Sequence, residues 1–492
     1  MKNLFLIVSA LLCLAAAYTY FSRAERTERP EIVWTAGLSE DRIEQVAAFH
    51  EWLRANGYVD QDGELLFTVR LETTDNQSVL IQAVSGVAGD LIDHVQVKRF
   101  APMGVLEDIT QFAGENGLDP ASGYGEAAGE LLTWEGRQYA YYCNLVARGL
   151  LANLDTFAKY GMEPPPEEWT PEQFERIGAE FVKRANRDRE RREVFFTGAM
   201  PQVLLPLGRS FGADAFNETM TAATLNRPEF VRALRFYHRW VDELHLIPTA
   251  AELASESAQG SSANGEATVQ LASGRYAMIL TGRYANMDLR RFKTPPFRMA
   301  FCQPPEGAYK NLVLASRNTA IYKGSKHKEF AKIFLKFLAD REYNDIIIRG
   351  SDGLPPNPRW AGNNPEYIAP PGYPQDGDLH ANELKWARSI GIPVSVSPYE
   401  PLNEDKLRYA YEKFANGLAT PEEALQQAEA QLNYSIRTTA ESSARLEKEY
   451  KHGLELQKKI DMLKAAGKQI PAAWVTNPFY RKYYRDRNML AD

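Results

Sequence analysis

Residue types suited to binding are easy to find in this chain, whereas a catalytic set is not. Carboxylates are plentiful, but none is singled out as an acid/base pair, and no Gly-x-Ser-x-Gly or His-Glu-x-x-His occurs. The seven histidines are scattered, and the three cysteines (Cys13, Cys143, Cys302) lack metal-ligand spacing, so neither a metal nor a cofactor is expected. What stands out is aromatic and planar polar residues at the tips of short β-branched runs. Trp34 and Thr35 end the first such run, and Asp93 and His94 follow Gly89-Asp90-Leu91-Ile92. Tyr139, Tyr141 and Tyr142 alternate along one segment, and Arg283 and Tyr284 follow Gly282. Rings stack on flat apolar faces, while Asn, Asp and Arg form paired hydrogen bonds to hydroxyls. That is chemistry for holding a solute rather than transforming it.

The elements needed to position these residues follow from local pattern. Glu31–Thr35 reads as a strand. Ser39 caps a helix with Glu40 and Asp41 in its first turn, an apolar stripe of Ile43, Val46, Phe49 and Leu53, and a stop at Gly57. Phe67, Val69 and Leu71 alternate along a second strand, 78–84 forms a helix, and Leu91-Ile92 forms a third strand. Strand and helix in alternation predict a parallel sheet, whose ligands sit beyond the carboxyl ends of its strands. Trp34, Thr35, Asp93 and His94 would share that opening. Core packing for Trp34 and plain surface exposure for Asp93 remain the alternatives.

Farther along, Thr170-Pro171-Glu172-Gln173 and Thr420-Pro421-Glu422-Glu423 are capping boxes with proline at the first helical position. A helix spans 230–244, and 254–265 reads as a surface loop. Strands are expected at 276–280 and 298–302, and Phe330, Phe334 and Phe337 stripe a helix begun near Ser325. A Pro/Gly/Asn-rich loop covers 353–377. Charged helix fills 437–466 before an aromatic, basic tail.

At 492 residues two domains are expected, and 44% hydrophobic with 25% charged residues is ordinary for a soluble protein. The net charge of -7 argues against nucleic acid as a partner. Met1-Lys2-Asn3, an apolar run to Leu14 and three alanines resemble a secretory signal cleaved after Ala17. Extension of that run to Phe21 would leave an uncleaved membrane tether. Cys13 is a poor lipidation site because Leu12 precedes it.

The order of these blocks resembles the carbohydrate-type, maltose-binding-protein-like family of bacterial extracellular solute-binding proteins of ABC transporters. The blocks carrying this are Gly274-Arg275-Tyr276-Ala277-Met278 with Gly282-Arg283-Tyr284, and Asn153-Leu154-Asp155-Thr156-Phe157 leading to Pro165, Pro166 and Trp169. Asn318-Thr319-Ala320-Ile321 before Lys323-Gly324-Ser325 adds to them. The resemblance covers about Glu31 to Ile436 and implies an α/β, two-lobed periplasmic-binding-protein fold of type II with discontinuous lobes. One lobe would comprise 30–140 plus 304–380, and the other 145–300 plus 381–436. Residues 437–492 would form a helical extension packed on the second lobe, and 1–29 the signal or anchor. Implied too are a monomeric periplasmic carrier, hinge closure on a sugar or oligosaccharide, and delivery to an inner-membrane ABC permease.

By the same resemblance Tyr284 would be a stacking platform. Arg283, Arg317, Asn318, Tyr142 and Tyr399 would reach the cleft with Trp34, Thr35, Asp93 and His94. Cys143 and Cys302 map to crossing segments that run side by side in the family, leaving a hinge disulfide and two buried thiols as alternatives. A membrane-anchored sensor or scaffold, a polysaccharide-processing enzyme and a tyrosine-rich iron carrier are the competing functions.

Overall fold

The computed structural model describes residues 29–37, 40–73, 76–121, 123–257, 263–291, 295–399 and 404–491. The N-terminal signal or anchor, Cys13 and the Ser39 cap lie outside them. Among the described residues no helix is long and apolar enough to cross a membrane.

Two sheets organise the chain. In the first, β1 (Glu31–Thr35) is followed by helix α1 (Glu40–Ala55), β2 (Thr68–Glu72), α2 (Asn76–Ser85) and β3 (Leu91–Ile92). β1 pairs in parallel with both β2 and β3. Asp90 fastens this end of the sheet: its carboxylate accepts from Val33 N at 2.9 Å and from Ser325 Oγ at 2.6 Å. A side chain on Gly89 would collide with Thr35 Oγ1 at 2.5 Å, so the approach of the two strands requires glycine there. Phe49 and Leu53 of α1 are fully buried as expected, whereas Ile43 is 54% exposed, so the stripe starts one turn later.

A short hairpin, β4 (Thr133–Trp134) and β5 (Arg137–Gln138), precedes β6 (Ala140–Ala147). Arg148 alone separates β6 from β7 (Gly149–Asn153), the first strand of the second sheet. That sheet has the order β10-β7-β9-β8, with β8 (Phe195–Thr197), β9 (Tyr276–Thr281) and β10 (Met299–Cys302); helix α3 (Pro171–Ala185) packs on β8 and α4 (Pro228–His238) joins the same core. The Thr170 capping box is formed in full. The expected loop at 254–265 is helical at its two ends, within Ala250–Ser257 and Ala263–Ala272, where alanine favours helix, while 258–262 lie outside the described residues.

The chain re-enters the first sheet at β11 (Leu312–Ile321), which pairs antiparallel with both β6 and β3. Helices α5 (Lys328–Ala339), α6 (Arg341–Gly350) and α7 (Leu379–Ser389) then lead to β12 (Gly391–Pro393), parallel to β11. The loop expected at 353–377 contains short helical turns at Pro358–Trp360, Pro365–Ile368 and Pro374–Asp376. The Thr420 capping box opens α8 (Pro421–Ala440). α9 (Ala444–Ala465) and α10 (Pro478–Arg485) complete the chain.

The C-terminal helices touch both halves of the molecule. Glu218, from a loop of the second half, accepts from Lys464 Nζ (2.5 Å), Tyr484 OH (2.6 Å) and Gln457 Nε2 (2.7 Å). On the other side, Arg481 meets Glu130 at 2.6 Å, Arg485 meets Glu126 at 2.7 Å, and Arg445 donates to the Pro102 carbonyl at 2.8 Å. The segment is therefore a brace over the passage between the two sheets.

Candidate functional site

The carboxyl ends of β1 and β3 lie side by side, and that of β9 lies beside Gly149, where the chain passes between sheets. Gly282, directly after β9, lies against β6: a Cβ there would sit 2.6 Å from Val146 Cγ1 and 2.9 Å from Glu383 Oε1. This contact explains why the tight Gly-Arg-Tyr turn needs its glycine.

Arg283 is fully buried beside this turn. Its guanidinium donates to the carbonyls of Gly353 (2.6 Å), Ile348 (2.9 Å) and Ile347 (3.3 Å), and its Nε donates to His380 Nδ1 at 3.0 Å. Those carbonyls belong to the end of α6 and the loop after it, so an arginine from the second sheet caps a helix of the first. Glu383 of α7 accepts from Arg283 N (2.8 Å) and Ala147 N (3.1 Å), tying β9 to the end of β6.

Burial pushes Glu383 up to about 7, while the amides of Arg283 and Ala147 and the Arg283 charge hold it down. Between the ordinary glutamate range and about pH 7 the folded chain thus keeps a proton that the unfolded chain has released. This group's stabilising contribution is complete below the unfolded value and is lost as pH rises through about 7. Burial pushes His380 down to about 4, which acts in the opposite sense, so a variant is needed to isolate Glu383. We expect the stability difference between native chain and Glu383→Gln to change by about 3 kcal/mol over that window. Urea midpoints across it provide the check, and parallel profiles would mean that Glu383 is ionised in the fold throughout.

Tyr284 is 38% exposed and His94, at φ 54°, is also exposed. The other members of the expected set are buried. Trp34 donates from Nε1 to Thr319 Oγ1 at 3.3 Å and packs 4.8 Å from the Phe334 ring, an arrangement of the core. Tyr142 donates to the Ala128 carbonyl at 2.6 Å. Tyr399 lies edge-on to Tyr450, with ring centres 5.2 Å apart. Asn318 donates to the carbonyls of Val95 and Leu131 at 3.4 Å each, on the other side of the sheet from Arg317, past a register shift in β11.

Asp93 and Arg317 are brought together, Oδ2 to Nε at 3.7 Å. Around them stand residues that the sequence did not single out. Arg42 donates to Asp352 Oδ2 at 3.0 Å, Asn144 donates to Asp352 Oδ1 at 2.8 Å, and Arg317 donates to Tyr343 OH at 3.0 Å. Burial raises Asp93, against the pull of His94 and Arg42. Three atoms here are buried without a hydrogen-bond partner, namely Asp93 Oδ2 and Arg317 Nε and Nη1. Such a polar bed is unfilled in hydrogen-bonding terms and suits hydroxyl groups or water. The one advance signal for Arg42 was its place in the first turn of a helix pointing at the strand ends. Asn144 and Asp352 had none.

Cys143 and Cys302 are unpaired and buried. Cys143 lies 3.0 Å from Thr319 Oγ1 and 3.5 Å from Asp93 Oδ1, at the polar bed, whereas Cys302 belongs to the core of the second sheet.

Residues 68–345 match the family described as bacterial extracellular solute-binding protein. Solved structures share the fold. The ABC substrate-binding protein Lmo0181 from Listeria monocytogenes, in complex with cycloalternan, is 22% identical with a TM-score of 0.65, covering 83% of this chain and 99% of its own. A solute-binding protein of an ABC transporter from Thermotoga lettingae, bound with alpha-D-tagatose, is 16% identical with a TM-score of 0.65, covering 83% and 100%. Maltose-bound MalE3 from T. maritima is 18% identical with a TM-score of 0.62, covering 82% and 99%.

Proposed function

The chain belongs to the family of bacterial extracellular solute-binding proteins, and from that premise we propose that it captures a sugar or oligosaccharide outside the cytoplasm for an ABC permease. The two lobes, one on each sheet, would swing about the β6–β7 and β10–β11 passages; pairing of β12 with β11 moves 381–393 from the second lobe, where the sequence reading put it, to the first. Solute would bridge them without being transformed. Closure is favoured only by contacts that the solute gains in the shut form.

The observation that carries this reading is the exposed Tyr284 ring directly after β9, on a turn held by the buried Arg283. Asp93 and Arg317 would supply hydrogen-bonding capacity at the strand ends, and His94 an exposed edge. Trp34 and Thr35 would floor the strand ends, whereas Tyr399 lies at the brace against Tyr450 and Tyr142 is held by the Ala128 carbonyl. A micromolar dissociation constant needs about -8 kcal/mol, within reach of a buried sugar with one stacked ring and several hydroxyl bonds.

A thermal-shift screen with maltose, maltotriose, mannobiose and tagatose tests the reading, because a ligand specific to the folded state raises the melting temperature. Tyr284→Ala is expected to weaken the responding sugar about tenfold by calorimetry, from loss of stacking. Unchanged affinity would remove Tyr284 from the site.

A further inference from the structure

A cavity of about 450 Å³ lies under the C-terminal brace. Its walls come from three parts of the chain. Lys98 and Trp134 belong to the first half, Tyr399 to the second, and Glu449, Trp474 and Arg481 to the segment beyond the family-like region. The volume falls within the roughly 300–1,000 Å³ of small-molecule sites.

Its chemistry selects among ligand classes. Both nearby cations are already engaged, since Lys98 and Arg481 share Glu130 at 2.7 and 2.6 Å. Arg481 also donates twice to the Val475 carbonyl. Glu449, also in the wall, is paired through Oε1 with Arg445 Nη1 at 3.6 Å, and Glu135 adds a further carboxylate, so an anion would find these cations already taken. Two polar atoms of the lining are buried without a hydrogen-bond partner: Trp134 Nε1, which can only donate, and Glu449 Oε2. An amine would answer the carboxylate but leave the indole N–H unmet. A hydroxylated ring answers both, because each hydroxyl donates and accepts, and its flat faces suit the two indoles.

We propose that residues 437–492 complete a second pocket, which binds a neutral carbohydrate ring between Trp134 and Trp474. Occupancy would join the two halves through the brace, because the lining spans both. The choice of sugars as probes rests on the function proposed above.

The test is calorimetric titration of the full chain with maltose, maltotriose, mannobiose and tagatose, with spermidine as the cationic comparison. Native protein, Tyr284→Ala, Trp134→Ala, Trp474→Ala and Trp474→Phe are compared, each with its melting temperature. Sugar binding that persists in Tyr284→Ala, weakens about tenfold in Trp134→Ala and Trp474→Ala at unaltered melting temperature, and returns in Trp474→Phe supports the pocket. Sugar binding abolished by Tyr284→Ala and untouched by either tryptophan change overturns it while leaving the carrier function standing. Spermidine binding lost in Trp474→Ala overturns the neutral class. If none of the four sugars binds the native chain, the carbohydrate reading falls, and this pocket falls with it.

Discussion

Arg283→Ala is expected to lower the unfolding free energy by about 4 kcal/mol, a large share of the roughly 5–15 kcal/mol typical of folded proteins. The side chain is fully buried and donates to three carbonyls, to Ser351 Oγ at 3.3 Å and to His380, with its guanidinium 4.6 Å from the centre of the Tyr367 ring. Alanine would strand the carbonyls of Ile347, Ile348 and Gly353 in a site closed to water, each at about 1–3 kcal/mol before relaxation. Arg283→Lys should recover only part of the loss, because a point charge cannot serve the same fork of acceptors. Urea unfolding followed by tryptophan fluorescence measures both. A loss below about 1 kcal/mol would show that water or a rearranged α6 replaces the guanidinium. Because Arg283 holds the turn that presents Tyr284, solute affinity should fall alongside stability.

The second large effect is expected at Arg209. It and Asp214 are both fully buried and paired at 2.7 Å. The node links three parts of the fold. Arg209 donates to the Pro393 carbonyl and to Ser395 Oγ, both at 3.0 Å, while Asp214 Oδ2 accepts from Asn477 Nδ2 at 2.7 Å and from Ser395 Oγ at 2.5 Å. Asn477 in turn caps α10, accepting from Phe479 N at 2.9 Å.

Arg209→Met leaves Asp214 buried without its cation, at about 3–5 kcal/mol. Replacing both members, as Arg209→Met with Asp214→Leu, should cost less than the single change, since no lone charge remains. Limited proteolysis should cut the C-terminal segment faster in the single variant. If the double variant proves the less stable, the pair is worth more than the charge it neutralises, and the node is held chiefly by its hydrogen bonds.

Local pattern was enough for much of the framework. The capping boxes at Thr170 and Thr420 are read from four consecutive residues, and both form as written. The strand tips at Thr35 and Ile92, and the Gly-Arg-Tyr turn after β9, follow from β-branched runs and glycines whose geometry is set within a few residues. The order of these blocks also carried the family, because topology follows from which elements come in what sequence.

Tertiary structure alone decided which way the functional side chains face. Arg283 and Tyr284 are neighbours, yet one is sealed among carbonyls some 64–70 residues away and the other stays open to solvent. Asp93 and Arg317 become one polar bed only because β3 and β11 pair. The helical C-terminal segment carried no sign that it would bridge both halves and wall a cavity. Burial of a charge depends on acceptors supplied from distant elements, and no local spacing encodes where those acceptors will be.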